Sequence, residues 1–196
     1  MGTAVAAGQI TQPEAPTELT SGNYQPINGS GRFHWFMQNT VGPTSLGAGL
    51  FTAAVGTARN RPVEYGPHWD GFGKRYGMRL TGVSTGNAME ASLGAIWGED
   101  PRYFRLVNAP FKERVGSVVK MTFLAHNRFG NVVPAYARYV STPSNNFLSN
   151  TWRADSEATN RAAALRTLWG FLGLMGRNAF EEFWPDVRHS VFHRQH

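Results

Sequence analysis

Four glycines, Gly77, Gly82, Gly86 and Gly94, fall inside a stretch that otherwise carries helical signals from Gly71 or Gly73 to Trp97. Each costs roughly 1 kcal/mol against alanine in a helix interior, so a helix holding four of them implies close approach by a neighbour. At about 100° per residue, Arg75, Arg79, Gly82, Gly86, Glu90 and Leu93 share one side. A glycine trough then lies between an arginine pair and a carboxylate. It predicts a helix crossing flanked by salt bridges, with a seat for a small ligand as the alternative.

The segment before it points the same way. Phe36 to Ala58 carries no charged residue, but Gln38, Asn39, Thr40, Pro43, Thr44 and Ser45 argue against a membrane span, which needs about 20 predominantly apolar residues. Thr44 or Ser45 caps a helix running to about Ala58, and Ser45, Gly49, Ala53 and Thr57 form a small-residue stripe at i+4 spacing. Tight packing inside one chain is the simpler reading, and a membrane or oligomer contact the other. Arg59 to Pro62 ends this helix.

Further along, Asp100-Pro101 reads as the N-cap and first residue of a new helical turn. Arg114 to Phe129 has amphipathic helical spacing, and Gly130-Asn131 turns the chain. Pro134 to Tyr139 and Pro143 to Trp152 each predict a short helix, with Thr142 capping the second. The last long helix starts at Asp155 or Ser156 and sets Leu165, Leu168, Trp169, Leu172, Phe180 and Phe183 on a broad apolar side, until Pro185 ends or kinks it. Period-2 alternation is not sustained anywhere, which ranks a transmembrane β-barrel well below an α-helical fold. The expected architecture is mostly α: a compact bundle of about five to seven helices with Gly, Ala and Ser at the helix contacts.

A chain of 196 residues is long enough for one good core. The expected organisation is a flexible arm over residues 1–31, a single domain over 32–188 and a basic tail over 189–196. Hydrophobic residues make up 41% and charged residues only 16%, which favours an apolar surface or a partner. The net charge of +6 becomes +8 beyond the arm, which holds Glu14 and Glu18 and no basic residue. Sixteen of the 19 basic residues are arginine, the better residue for bidentate anion pairs and aromatic stacking. Their scatter, with no helix-turn-helix, zinc-finger or RNP-like pattern, argues against nucleic acid, and an anionic membrane surface explains the charge at least as well. The absence of cysteine excludes disulfides, thiolate metal sites and cysteine nucleophiles. The stretch AVAAGQ near the start is similar to what remains around a signal-peptide cleavage site.

Catalytic candidates are few. His68 and Asp70 flank Trp69 as a base and its orienter, and with Glu90 they form the acid–base set of a small hydrolase or transferase on an anionic or glycan substrate. No GxSxG, HExxH, Walker or SxxK pattern accompanies them, and GFGKRYG lacks the spacing of a phosphate-cradling loop. His126 reads as a satisfied, half-buried histidine. His189, His193 and His196 read as a solvated tail, so no metal or cofactor is expected.

From RFHWFMQNTVGP through GFGKRYG and GEDPRYFR to FEEFWPD, over about residues 32 to 190, the chain resembles an uncharacterised family of bacterial proteins, many with export signals. The resemblance implies an envelope setting, periplasmic or peripheral to the membrane, with the cytoplasm as the alternative, and offers no activity or catalytic residues. The resulting expectation is a non-enzymatic binding or structural protein. Its basic and aromatic surface of Trp69, Lys74, Arg75, Tyr76, Arg79, Arg102, Tyr103 and Arg105 would face anionic lipid or an envelope polymer. A homo-oligomer, or a subunit of a larger membrane-associated assembly, is the third reading.

Overall fold

Asn28 caps the first helix by accepting from Gly31 N–H at 2.7 Å, which starts α1 at Gly29–Val41. The computed structural model describes residues 24–192, so residues 1–23 of the arm, and His193 and His196 of the tail, lie outside the described residues. Gly42 breaks the helix, and Pro43, which needs no N–H partner at a helix start, opens α2 at Pro43–Ala58. The long helix α3, Trp69–Trp97, runs back alongside both. It spans roughly 43 Å at 1.5 Å per residue. Arg75 near its start bonds the carbonyls after α2, while Arg32 in α1 bonds the carbonyl of Glu99 just past its end. The pair α1–α2 is therefore one broken rod, antiparallel to α3.

The second half repeats the arrangement of two short helices against one long one. Helices α4 (Phe111–Phe123) and α5 (Tyr136–Leu148) lie along successive parts of α6, Asn160–Phe192. Arg114 meets Glu182 at one end, the Phe123 and Phe171 rings stack at 5.7 Å in the middle, and Arg166 reaches the Asn146 carbonyl at the other. Helix α5 also packs on α3, and Arg177 of α6 bonds Asn39 of α1 and closes the ring of four rods. The fold is mostly α, a bundle of six helices among the described residues.

A small antiparallel sheet of β1 (Glu99–Asp100), β2 (Leu124–Asn127) and β3 (Val132–Pro134), in that order, sits at the end where α3 finishes. This corrects the expected helix over Arg114 to Phe129: it ends at Phe123, and the next four residues form β2, in which His126 and Asn127 pair with Asp100 and Glu99 and Leu124 to His126 pair with β3. Asn127 Oδ1 accepts from the N–H groups of Phe129 and Asn131 and folds the hairpin, with Gly130 at φ 81°.

Two prolines are tolerated inside helices. The two short helices expected around Pro143 are the single helix α5, because Arg138 and Asn145, on either side of the proline, lock onto α3. Tertiary contacts thus override a local penalty of about 3 kcal/mol. Pro185 likewise lies within α6. The carbonyl of Glu182, one turn before it, accepts from both Arg105 and Arg114, at 2.9 and 2.6 Å.

The glycine trough is a helix crossing. Asn145 of α5 donates to the Gly82 carbonyl at 2.9 Å, and its amide nitrogen is 2.9 Å from where a Cβ on Gly86 would stand. The stripe on α2 faces α3 in the same way, with Gly49 against Tyr76 and Arg79. Gly86→Leu should therefore lower stability by a few kcal/mol, because the crossing cannot widen without breaking the Asn145 bond. Gly77, exposed with nothing near its missing Cβ, should give the opposite sign: Gly77→Ala stabilises by about 0.5–1 kcal/mol. Chemical denaturation of the two variants against wild type reads both.

Candidate functional site

The acid–base candidates do not converge. His68 occupies the N-cap position of α3, exposed and without a side-chain cap bond. Asp70 pairs with Lys74 at 2.7 Å on the open surface. Glu90 lies twenty residues up the same helix, roughly 30 Å from Asp70, and is paired with Arg138 at 3.0 Å.

The predicted anion-binding residues divide between the two ends of the bundle. At one end Trp69 is 85% exposed and edge-on to Phe72, while Tyr76 stacks on Phe72 and lies under Gly49. Arg75 is buried and donates to the carbonyls of Arg61, Pro62 and Gly66 at 2.7–2.8 Å, knotting the turn from α2 into α3. Arg79 donates to the Ser45 carbonyl at 3.0 Å. At the other end Arg102 grips Asp100 at 2.6 Å and the Gln25 carbonyl, and Tyr103 donates to Glu182. Arg105 holds Asp186 at 2.5 Å. All four arginines act as internal staples.

Asp100 is not a helix cap. It lies buried in β1 and accepts from Arg102 N–H, from the Arg102 guanidinium and from the Tyr24 hydroxyl. Its neighbour Glu99 performs the capping, accepting from Tyr136 and Ala137 N–H at the start of α5. Burial pushes the Glu99 carboxyl above its usual range, against those two bonds.

Sequence reasoning also missed two buried ionic clusters. Glu182, 0% exposed, accepts from Arg114 Nε at 2.6 Å, from the Tyr103 hydroxyl at 3.0 Å and from Leu106 N–H at 3.1 Å. Asp186 completes that cluster by pairing with both Arg105 and Arg114. Burial acts to raise Asp186, but the two guanidinium groups outweigh it and hold the carboxyl below its usual range. Arg138, buried, binds Glu90 through Nε and the carbonyls of Met121 and Thr122 through Nη1, all at 3.0 Å. The available signal was the spacing of single charges inside otherwise apolar helices, each of which needed a partner.

What the bundle shows outward is apolar. On α6 the buried positions are Ala163, Asn178 and Glu182, whereas Leu165, Leu168, Trp169, Leu172 and Phe180 are exposed, Leu168 at 63% and Trp169 at 69%. Five of the six residues of the expected broad apolar side thus face out, while the sixth, Phe183, packs on Phe111 and Arg114 of α4. Phe33 and Phe51 on the first rod, Val119 on α4 and Val140 and Phe147 on α5 are exposed in the same way.

Across 35–58, 76–97, 135–152 and 162–176, which stand side by side, no charged side chain is exposed. The four charges within them, Arg79, Glu90, Arg138 and Arg166, are all bonded inside the chain. Hydroxyls are also satisfied locally: Thr52, Thr57, Thr81, Thr85, Thr122 and Thr167 each donate to the carbonyl four residues back. The waist thus combines exposed apolar side chains with polar groups that need little from solvent. Among the described residues no three His, Asp or Glu side chains are grouped as metal ligands.

No protein-family model matches the chain, and comparison with curated proteins and with solved structures returns no match.

Two outcomes test the ionic interior. Arg138→Ala should cost about 3–5 kcal/mol, since it strands Glu90 and the last carbonyls of α4 in a buried site, and equilibrium unfolding measures it. Asp186, whose folded pKa is depressed, contributes stability above its unfolded pKa of about 3.9 and loses it as pH falls through the lower folded value. Asp186→Asn should remove that part of the acid sensitivity, seen as a flatter dependence of Tm on pH below about 4.

Proposed function

We propose that the protein is a non-enzymatic structural or binding component associated with the bacterial envelope, and that it meets membrane lipid through its uncharged waist. The carrying observation is the inversion of polarity: buried glutamate, arginine and asparagine within, and exposed leucine, phenylalanine and tryptophan without. Monomeric soluble proteins rarely expose apolar surface on that scale, and such surface marks contact with membranes or other chains. The family resemblance supplies the bacterial and envelope setting. No helix among the described residues is long and apolar enough to cross a membrane. The reading is therefore one of peripheral association, with apolar side chains entering the interfacial region.

The internal engagement of Arg75, Arg79, Arg102 and Arg105 shifts the expected attraction from basic residues to apolar ones. The alternative of a hydrolase or transferase built on His68, Asp70 and Glu90 loses support, because those groups stand at separate places. A second reading, a subunit of a larger membrane-associated assembly, is favoured by one observation. Exposed apolar residues lie on all four rods, more faces than one flat contact covers.

Flotation with phosphatidylcholine vesicles at high salt tests the first reading. The protein should float, since apolar contact is not screened. Leu168→Glu with Trp169→Glu should reduce the floated fraction severalfold while leaving the far-UV circular dichroism unchanged. Protein that stays at the bottom of the gradient and sediments in detergent-free buffer as a defined oligomer would favour the assembly instead.

A further inference from the structure

We propose that the open pocket at the end of α3 binds the phosphate of an anionic lipid headgroup. The pocket has a volume of about 250 Å³ and is lined by Tyr24, Ile27, Arg32, Ala95, Gly98 and Arg128 among others. Two guanidinium groups flank it, and among the described residues neither has a carboxylate partner. Arg32 spends Nη2 on the Glu99 carbonyl at 2.6 Å, and its Nη1, buried over Gly94, has no hydrogen-bond partner among the described residues. Arg128 lies over Gly98, where any Cβ would stand 2.5 Å from its Nε. Gly98, at φ 74°, both ends α3 and admits that side chain.

The nearby acids are already committed. Asp100 is held by Arg102 and Tyr24, and the Glu99 carboxylate is turned to the amides of α5. Three guanidinium groups, Arg32, Arg102 and Arg128, thus stand beside two buried carboxylates, Asp100 and Glu99, both already bonded within the chain. Burial depresses the Arg32 pKa, Asp100 and Tyr24 offset part of that, and the positive charges of Arg102 and Arg128 add to it, a cost that a bound anion relieves. Guanidinium pairs are well matched to phosphate oxygens.

The surroundings select an amphiphile over a free anion. Ile96, 70% exposed, and Trp97 directly follow the lining residue Ala95 in α3 and add exposed apolar side chains at that end of the helix. A cavity of this size takes a phosphate and its glycerol, leaving acyl chains to lie against that surface. This inference rests on the lipid-contact reading above.

Vesicle binding tests both and separates them. Phosphatidylcholine vesicles are compared with the same vesicles containing phosphatidylglycerol, at physiological salt. Wild type should bind the mixed vesicles at least tenfold more tightly. Arg128→Ala and Arg128→Glu should abolish that gain and leave binding to phosphatidylcholine intact. Lys112→Glu, the same charge reversal as Arg128→Glu at an exposed position outside the pocket lining, should keep most of the gain. Arg32→Ala also removes the anchor to Glu99, so the Arg128 variants decide. Equal affinity for both vesicles, a gain that survives in Arg128→Glu, or one lost equally in Lys112→Glu would overturn the pocket while leaving the waist reading in place. Binding to mixed vesicles alone, still dependent on Arg128, would uphold the pocket and overturn the waist reading. No binding to either overturns both. Inorganic phosphate titrated by NMR onto Arg128 without any phosphatidylglycerol preference would assign the pocket to free phosphate and overturn the lipid assignment.

Discussion

Arg138 holds three elements at once. Its Nε engages Glu90 on α3, its Nη1 collects the final carbonyls of α4, and its backbone belongs to α5. A helix ending inside a protein leaves carbonyls that water cannot reach, and a guanidinium with a fixed fork of donors can satisfy two of them while still paired to a carboxylate. Because α4 stops there, the chain can turn into β2, and β2 carries the pairing that fixes the end of α3. The small sheet, the α3–α5 crossing and the end of α4 thus meet at one buried cation bonded to both α3 and α4.

Much of the helical framework was legible. The C-terminal ends of α2 and α3 follow from Arg59-Asn60-Arg61-Pro62 and Trp97, whereas both helices start earlier than expected, α2 at Pro43 with no side-chain cap from Thr44 or Ser45 and α3 at Trp69 rather than after Gly71 or Gly73. The crossing partner of the trough was not legible, because nothing near Gly82 names Asn145. The hairpin was missed because β2 and β3 are four and three residues long, too short for alternation to register. Pro143 misled for the opposite reason: its local penalty is real, but arginine and asparagine contacts from elsewhere outweigh it.

The candidate site was less legible than the fold, and the cause is physical. A lone arginine on a helix reads as a surface group, and a run of leucine, phenylalanine and tryptophan reads as core. Along the waist both expectations reverse, while Trp35, Phe104, Val118 and Met121 keep a small apolar core. Stretches far apart in the sequence find their places in that reversal: Tyr103 and Arg105 meet Glu182 and Asp186, and Arg75 ties the turn before α3. The low content of charged residues is consistent with this, since most interior charges are already matched and few are left for the waist.

The threonines that bond back to their own helices have a consequence for how the molecule tolerates change. An apolar interior forgives a swap of one hydrocarbon for another of similar volume, but a hydroxyl or guanidinium aimed at one carbonyl has no near substitute. Here the forgiving positions lie on the outside, where leucine, valine and phenylalanine interchange at little cost to the fold. Drift in such a lineage would run through its hydrophobic residues while its buried polar ones stay still, the reverse of the pattern by which a core is usually recognised.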